Sequence, residues 1–137
     1  EIIEDLGLEA AIDWYSKDYA TRYGIEVLLN VENNIPISNE KALTLFRIMQ
    51  ESLTNIARHA GATHIEISIQ KSQDNIEFVI TDNGKGISDD EMHSKKSFGI
   101  MSMNERAQIL GGTFEIGRGE VLGTKIRICC PHKMNDL

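Results

Sequence analysis

The stretch QESLTNIARHA, from Gln50 to Ala60, carries Glu51, Asn55, Arg58 and His59 at steps of three and four. On a helix those steps place an acid, an amide and two bases along one side, a set able to handle protons and to meet polar or charged ligands. By itself the pattern suits an ordinary solvated helix face equally well. A second group, Asp82-Asn83-Gly84-Lys85-Gly86-Ile87, follows directly after an apparent strand. Two glycines in three residues let the backbone bend tightly and let a ligand come close, and Asp82 at the strand end is placed to accept a hydrogen bond. A third group is Ser97-Phe98-Gly99, leading into IMSMNERAQIL. A glycine at a helix start leaves N–H groups free and turns the positive end of the helix dipole toward any anion there.

Periodicity names the elements that must position these groups. Ala42, Leu45, Phe46, Met49, Leu53, Ile56, Ala57 and Ala60 form an apolar stripe with helical spacing, preceded by Ser38 or Asn39 as a cap and stopped at Gly61. The polar set falls roughly opposite this stripe, because two residues turn about 200° around a helix, so its side chains are expected to point away from the core. An earlier helix is read over Glu1 to Tyr23, with Leu8, Ala11, Ile12, Tyr15 and Tyr19 as its stripe and Gly24 as its stop. Ile25 to Val31, His64 to Lys71, Ile76 to Thr81, Thr113 to Ile116 and Gly123 to Cys130 read as strands. Asp74-Asn75 suits a hairpin turn, and Gly117-Arg118-Gly119 reads as another turn. A helix is expected over Ile100 to Leu110, ended by Gly111-Gly112, with a polar loop over Ser88 to Lys96 before it.

The 137 residues suit one domain with a single core of sheet and helices. Lys and Arg number 14 against 21 Asp and Glu, a net charge of −7, and aromatic residues are 6% of the chain. Nucleic acid is therefore not expected as a partner, because binding to a phosphate backbone needs a positive surface. Cys129 and Cys130 are adjacent on a strand and point to opposite faces, which argues against a disulfide framework and for a reducing compartment. No segment has the apolar length of a membrane span, and the start does not look like a signal peptide.

The motifs are individually weak, but their order and spacing are specific. Glu-x-x-x-Asn on a helix, Asp-x-Gly-x-Gly after a strand, a Gly-led helix after a loop and Gly-Thr opening a final strand together resemble the GHKL ATPases. Within them the chain resembles the ATP-binding (HATPase) domain of sensor histidine kinases of the NarL-partner type. The narrowing rests on QESLTNIARHA, on SFGIMSMNERAQILGG and on EDLGLEAAIDWYSKDYATRYGIEV, which resembles the passage from a dimerisation helix into the ATP domain.

The resemblance implies an α/β (α+β) two-layer sandwich of the Bergerat type, a mixed, mainly antiparallel sheet packed on helices. Residues 1–23 would be the end of the dimerisation linker and the first helix, 24–131 the ATP-binding catalytic domain and 132–137 a tail. It implies ATP and Mg²⁺ as ligands. Asn55 would bind the metal through its amide oxygen, as suits a hard cation. Glu51 would polarise the attacking water or acceptor nitrogen. Arg58 and His59 would face the phosphates. Asp82 would accept from the adenine amino group with support from Thr124, and Gly84, Gly86 and Ile87 would flank the base. The start of the following helix, Ser97, Phe98, Gly99, Ile100 and Met101, would receive the phosphates, with Lys95 or Lys96 adding charge. Ser102 and Gly117 depart from the family pattern, which often has glycine and serine there. None of the four histidines lies on an amphipathic helix followed by an acid, as a phosphoacceptor would.

The implied partners are a dimerisation and phosphoacceptor domain of the same kinase and a NarL-type response regulator. The parent chain would be a homodimer, with or without a membrane anchor, and this domain cytoplasmic. A GHKL-fold serine kinase that binds a sigma factor shares the motifs but has no dimerisation helix to leave. A non-catalytic module gated by nucleotide is disfavoured by the intact Glu51 and Asn55.

Overall fold

The computed structural model describes residues 7–87, 90, 98–119 and 122–131. In chain order they form α1 (Leu8–Tyr23), β1 (Glu26–Val31), α2 (Asn39–Asn55), β2 (His64–Ser72), β3 (Asn75–Asp82), α3 (Phe98–Ile109), β4 (Thr113–Arg118) and β5 (Thr124–Pro131). One sheet holds the strands in the order β1-β2-β3-β5-β4. β1 and β2 run parallel and the other neighbours antiparallel. A hairpin cannot join parallel strands, and α2 is the crossover that does. The expected mixed, mainly antiparallel sheet on helices is what forms.

Alternation decides which face of the sheet is covered. Ile65, Ile67 and Ile69 of β2, Ile76, Phe78 and Ile80 of β3, and Ile126, Ile128 and Cys130 of β5 are all buried. They meet Leu8, Ile12 and Tyr19 of α1, Leu45, Ile48, Met49 and Leu53 of α2, and Met103 and Ala107 of α3 in one apolar cluster. The other face carries charge. There Arg127 donates to Glu77 and, at 3.1 Å, to Glu115. Cys130 is buried, Cys129 half-buried, and both are free thiols. Among the described residues, no helix is long and apolar enough to cross a membrane.

Local chemistry sets the ends of the helices. Ser38 caps α2 by accepting the Lys41 N–H at 3.2 Å. Gly24 takes the left-handed conformation after α1, with φ 66°, and returns its N–H to the Ala20 carbonyl. Beyond Asn55, α2 widens into a π-helical turn, Ile56–Ala60, ended by a left-handed Gly61. Periodicity alone had suggested one uniform helix there.

Three other sequence expectations shift. The β2–β3 turn is Gln73-Asp74, since Ser72 pairs with Asn75 and Gln73 takes a φ of 55°. β4 continues through Gly117 and Arg118, which pair with Lys125 and Thr124, so the turn begins only at Gly119, whose N–H bonds the Gly123 carbonyl at 2.9 Å. On α2, Ile48 and Ser52 are buried, whereas Phe46, Ala57 and Ala60 are only half-buried. The expected helix over residues 1–6, the loop apart from Asp90 and the tail at 132–137 lie outside the described residues.

Gly123 and Gly61 both have positive φ, 78° and 63°. A Cβ at Gly61 would meet nothing within 4 Å, but at Gly123 it would lie 1.8 Å from the Asp82 carbonyl oxygen. Gly61→Ala is expected to cost about 1–2 kcal/mol, the left-handed penalty alone. Gly123→Ala should cost clearly more, because backbone must also move. Urea denaturation of the two variants checks the order, and equal costs would refute the close-approach argument.

Candidate functional site

The ends of β3 and β5, the end of α2 and the start of α3 enclose a cavity of about 330 Å³. Of the residues expected from the sequence, Asn55, His59, Asp82, Gly86, Ile87, Gly99, Ile100 and Thr124 line it. Five groups separated by up to 69 positions are thereby brought to one place. Phe98 is the first residue of α3. Lys95, Lys96 and Ser97 lie outside the described residues.

Asp82 ends β3 on the buried side and is 6% exposed. Its Oδ1 accepts the Gly84 N–H at 2.8 Å, and the Thr124 N–H on β5 also bonds the carboxylate. Burial raises its pKa above the ordinary carboxylate value, and those two N–H groups oppose the rise. A carboxylate has about four acceptor positions, so two backbone bonds leave capacity for a ligand's donor.

Asn55 lines the cavity from α2, whereas Glu51, one turn earlier, stands beside Asn55 without lining it. A Cβ on Gly99 would stand 2.8 Å from Glu51 Oε2 and 3.1 Å from Asn55 Nδ2, so both side chains lie against the first turn of α3. Both residues are half-buried, because α3 covers this part of the polar side of α2, and neither belongs to the apolar core. Glycine at position 99 is what permits the contact. α3 also begins at Phe98, so Gly99 sits inside its first turn, where N–H groups still lack intrahelical partners.

Other expected residues take different places. Arg58 is exposed and does not line the cavity, and Met101 is 54% exposed on the outer side of α3. Gly84 does not widen the cavity. A Cβ there would lie 2.4 Å from the Ala60 carbonyl, and the next residue, Lys85, donates its N–H to the same oxygen at 2.9 Å. Gly84 is thus small so that β3's end can pack on the end of α2. Gly86, at φ 83°, lines the cavity as expected.

Sequence reasoning missed several lining residues: Ser52, Ile56, Ala60, Ile80, Lys85, Met103, Ile116 and Ile126. Ile80 pairs with Ile126, and Ile116 pairs with Ile126 on its other side, forming an apolar floor. Alternation marks all three as inward, but nothing in the pattern separates the cavity floor from the core. Asn83 was also undervalued. Its Oδ1 accepts from the N–H groups of Thr63 and His64 at 2.9 and 3.0 Å, pinning the strand end that presents Asp82.

An adenine nucleotide with a divalent cation fits this donor set. The apolar floor suits a flat base, Asp82 offers a buried acceptor, and the helix start offers N–H donors near the Asn55 amide. Among the described residues no three His, Cys, Asp or Glu side chains cluster as a metal site of their own. A cation here would depend on Asn55 together with phosphate oxygens and water.

Comparison with known proteins agrees. Residues 40–134 match the family described as histidine kinase-, DNA gyrase B-, and HSP90-like ATPase. The oxygen sensor histidine kinase NreB of Staphylococcus carnosus is 32% identical over 92% of this chain, and the signal transduction histidine-protein kinase/phosphatase DegS of Brevibacillus brevis is 34% identical over 94%. The chain spans only 38% and 33% of those proteins. Among solved structures, a histidine kinase domain from Erythrobacter litoralis superposes with a TM-score of 0.79 at 22% identity, covering 91% of this chain and 61% of that one. The ATP binding domain of PrrB from Mycobacterium tuberculosis gives 0.74 at 23%, covering 89% and 91%. These last two share the fold. The chain therefore belongs to the histidine kinase-, DNA gyrase B-, and HSP90-like ATPase family.

Proposed function

We propose that this domain binds Mg-ATP between Asp82 and the start of α3, and that its parent kinase transfers the γ-phosphoryl group to a histidine on a dimerisation domain. The observation that carries the reading is the buried carboxylate of Asp82 in a cavity that Asn55 and Gly99 also line, with Glu51 held against Gly99 beside it. Residues 1–23 are assigned to the linker and first helix, 24–131 to the ATP domain and 132–137 to a tail. The parent is a homodimer with this domain in the cytoplasm, and its phosphorylated histidine serves a response regulator of the NarL type. The two curated relatives, both histidine kinases, support that assignment.

In this reading Asp82 accepts from the exocyclic amine of adenine, with Thr124 beside it. Asn55 would hold Mg²⁺, which would neutralise charge at the phosphates. The free N–H groups of Gly99 and Ile100 receive phosphate oxygens, and Lys96 and Ser97 extend that binding. His59 lies at the cavity wall beside the phosphates. Glu51, one turn before Asn55, accepts the imidazole N–H of the phosphoacceptor as its other nitrogen attacks phosphorus. The bond from phosphorus to the bridging β–γ oxygen then breaks and ADP leaves. Positioning supplies most of the catalysis, since phosphoryl transfer asks little covalent chemistry of the protein.

Asp82→Ala should weaken ATP binding roughly tenfold to a hundredfold, the cost of losing a hydrogen bond to a charged acceptor. Unchanged affinity by calorimetry would remove the base from this end of the cavity. Glu51→Gln keeps size and shape, so ATP affinity should hold while transfer to a separately supplied dimerisation domain slows. The opposite outcome, lost binding with preserved transfer, would reverse the roles.

The raised pKa of Asp82 has its own signature. A carboxyl that binds its proton more tightly when folded contributes stability at low pH and loses it as pH climbs from the unfolded value, near 3.8, through the folded one. The stability of the wild type relative to Asp82→Asn should therefore fall across that window and stay level above it. Denaturation of both proteins at a series of pH values tests this, and a difference independent of pH contradicts the burial argument.

A further inference from the structure

We infer that Tyr19, on α1, is a positioning residue for Asn55 and thereby for the metal. This rests on the proposed role of Asn55. Tyr19 is 2% exposed and reaches across 34 positions of sequence to donate its hydroxyl to the Leu53 carbonyl at 2.8 Å. That carbonyl belongs to the backbone of α2 two residues before Asn55, and it shares the Ile56 N–H with the Ser52 carbonyl. Immediately beyond, the helix abandons the α form for the π-helical turn Ile56–Ala60. π turns are rare and need a cause. A side-chain donor inserted at a helical carbonyl draws that carbonyl out of the ladder and is one of the few things that opens or bends a helix.

The geometry leaves this donor little freedom. The Tyr19 ring packs on Tyr23 at 4.9 Å between centroids, and burial keeps the phenol protonated by pushing its pKa far above the ordinary range. No residue of α1 lines the cavity. Beside the apolar packing of α1 on α2, the Tyr19 hydroxyl reaches the backbone of α2 where the turn between Asn55 and His59 is set. In a uniform α-helix, residues four apart stand one above the other. Closing the turn one residue later rotates His59 relative to Asn55, so the angle between the metal ligand and the cavity-wall histidine depends on this local widening.

Tyr19→Phe removes the hydroxyl and keeps the ring. Calorimetry would compare ATP with Mg²⁺, ATP with EDTA, and adenosine, in the wild type, Tyr19→Phe, Tyr23→Phe and Asn55→Ala. Tyr19→Phe is expected to weaken Mg-ATP about three- to tenfold, the range of one neutral hydrogen bond, while adenosine and metal-free ATP stay within about twofold. Tyr23→Phe, whose residue is half exposed, should change none of them. Amide hydrogen exchange at Ile56–Ala60 should accelerate in Tyr19→Phe alone of the two tyrosine variants. Unchanged Mg-ATP affinity, or an equal loss for all three ligands, overturns the positioning role. Should Asn55→Ala lose the magnesium dependence while Tyr19→Phe keeps it, only the inference about Tyr19 fails. If Asn55→Ala keeps that dependence, the metal reading fails and this inference falls with it.

Discussion

The site depends on a backbone-to-backbone approach between the end of β3 and the start of β5. Gly123 lies so close to Asp82 that a methyl group there would overlap the Asp82 carbonyl. Only this proximity lets the Thr124 N–H reach the Asp82 side chain from a strand 42 positions later. Two N–H groups then hold a carboxylate whose burial would otherwise be costly. The same packing closes the apolar floor of Ile80, Ile116 and Ile126 beneath it. A larger residue at position 123 would separate the strands where the carboxylate needs them joined.

A second constraint ties that end of the sheet to α2. Gly84 packs on the Ala60 carbonyl, Lys85 hydrogen-bonds it, and Asn83 holds the backbone of Thr63 and His64. The segment after β3 is thus clamped to the end of the helix that carries Glu51 and Asn55. The two halves of the cavity keep a fixed spacing although their residues come from separate elements. Rigid spacing matters for a ligand held at both ends, because catalysis by positioning fails with small displacements.

An acidic chain that binds a polyanion has to do so locally. With a net charge of −7, the long-range field does not attract phosphate. Lys85 is the lysine that lines the cavity among the described residues, and the start of α3 adds backbone N–H groups there. Fixed dipoles at short range do the work that a basic surface does elsewhere. The charges on the far face of the sheet, Arg127 with Glu77 and Glu115, pair with one another at a partly exposed surface, so they contribute modestly to stability.

Much of this was legible in the chain itself. Period-two runs such as Ile65, Ile67 and Ile69 and the helical stripe through Leu45, Met49 and Leu53 follow from side-chain geometry that each segment carries alone. Ser38, Gly24 and Gly61 mark helix ends by local chemistry in the same way. The order of Glu51, Asn55, Asp82 and Gly99 was enough to indicate the family. Tertiary packing decided the rest. Gly84 and Gly99 look like flexible or ligand-facing glycines, yet their size serves contacts with Ala60 and with Glu51 and Asn55. Arg58 reads as a phosphate ligand and is exposed, while Ser52, Lys85 and Met103 line the cavity unannounced. The π turn after Asn55 and the Tyr19 hydroxyl on Leu53 have no sequence signature, because both arise from one helix pressing on the backbone of another. A residue's type and spacing determine what it can do, but which partner it meets depends on elements far away in the chain.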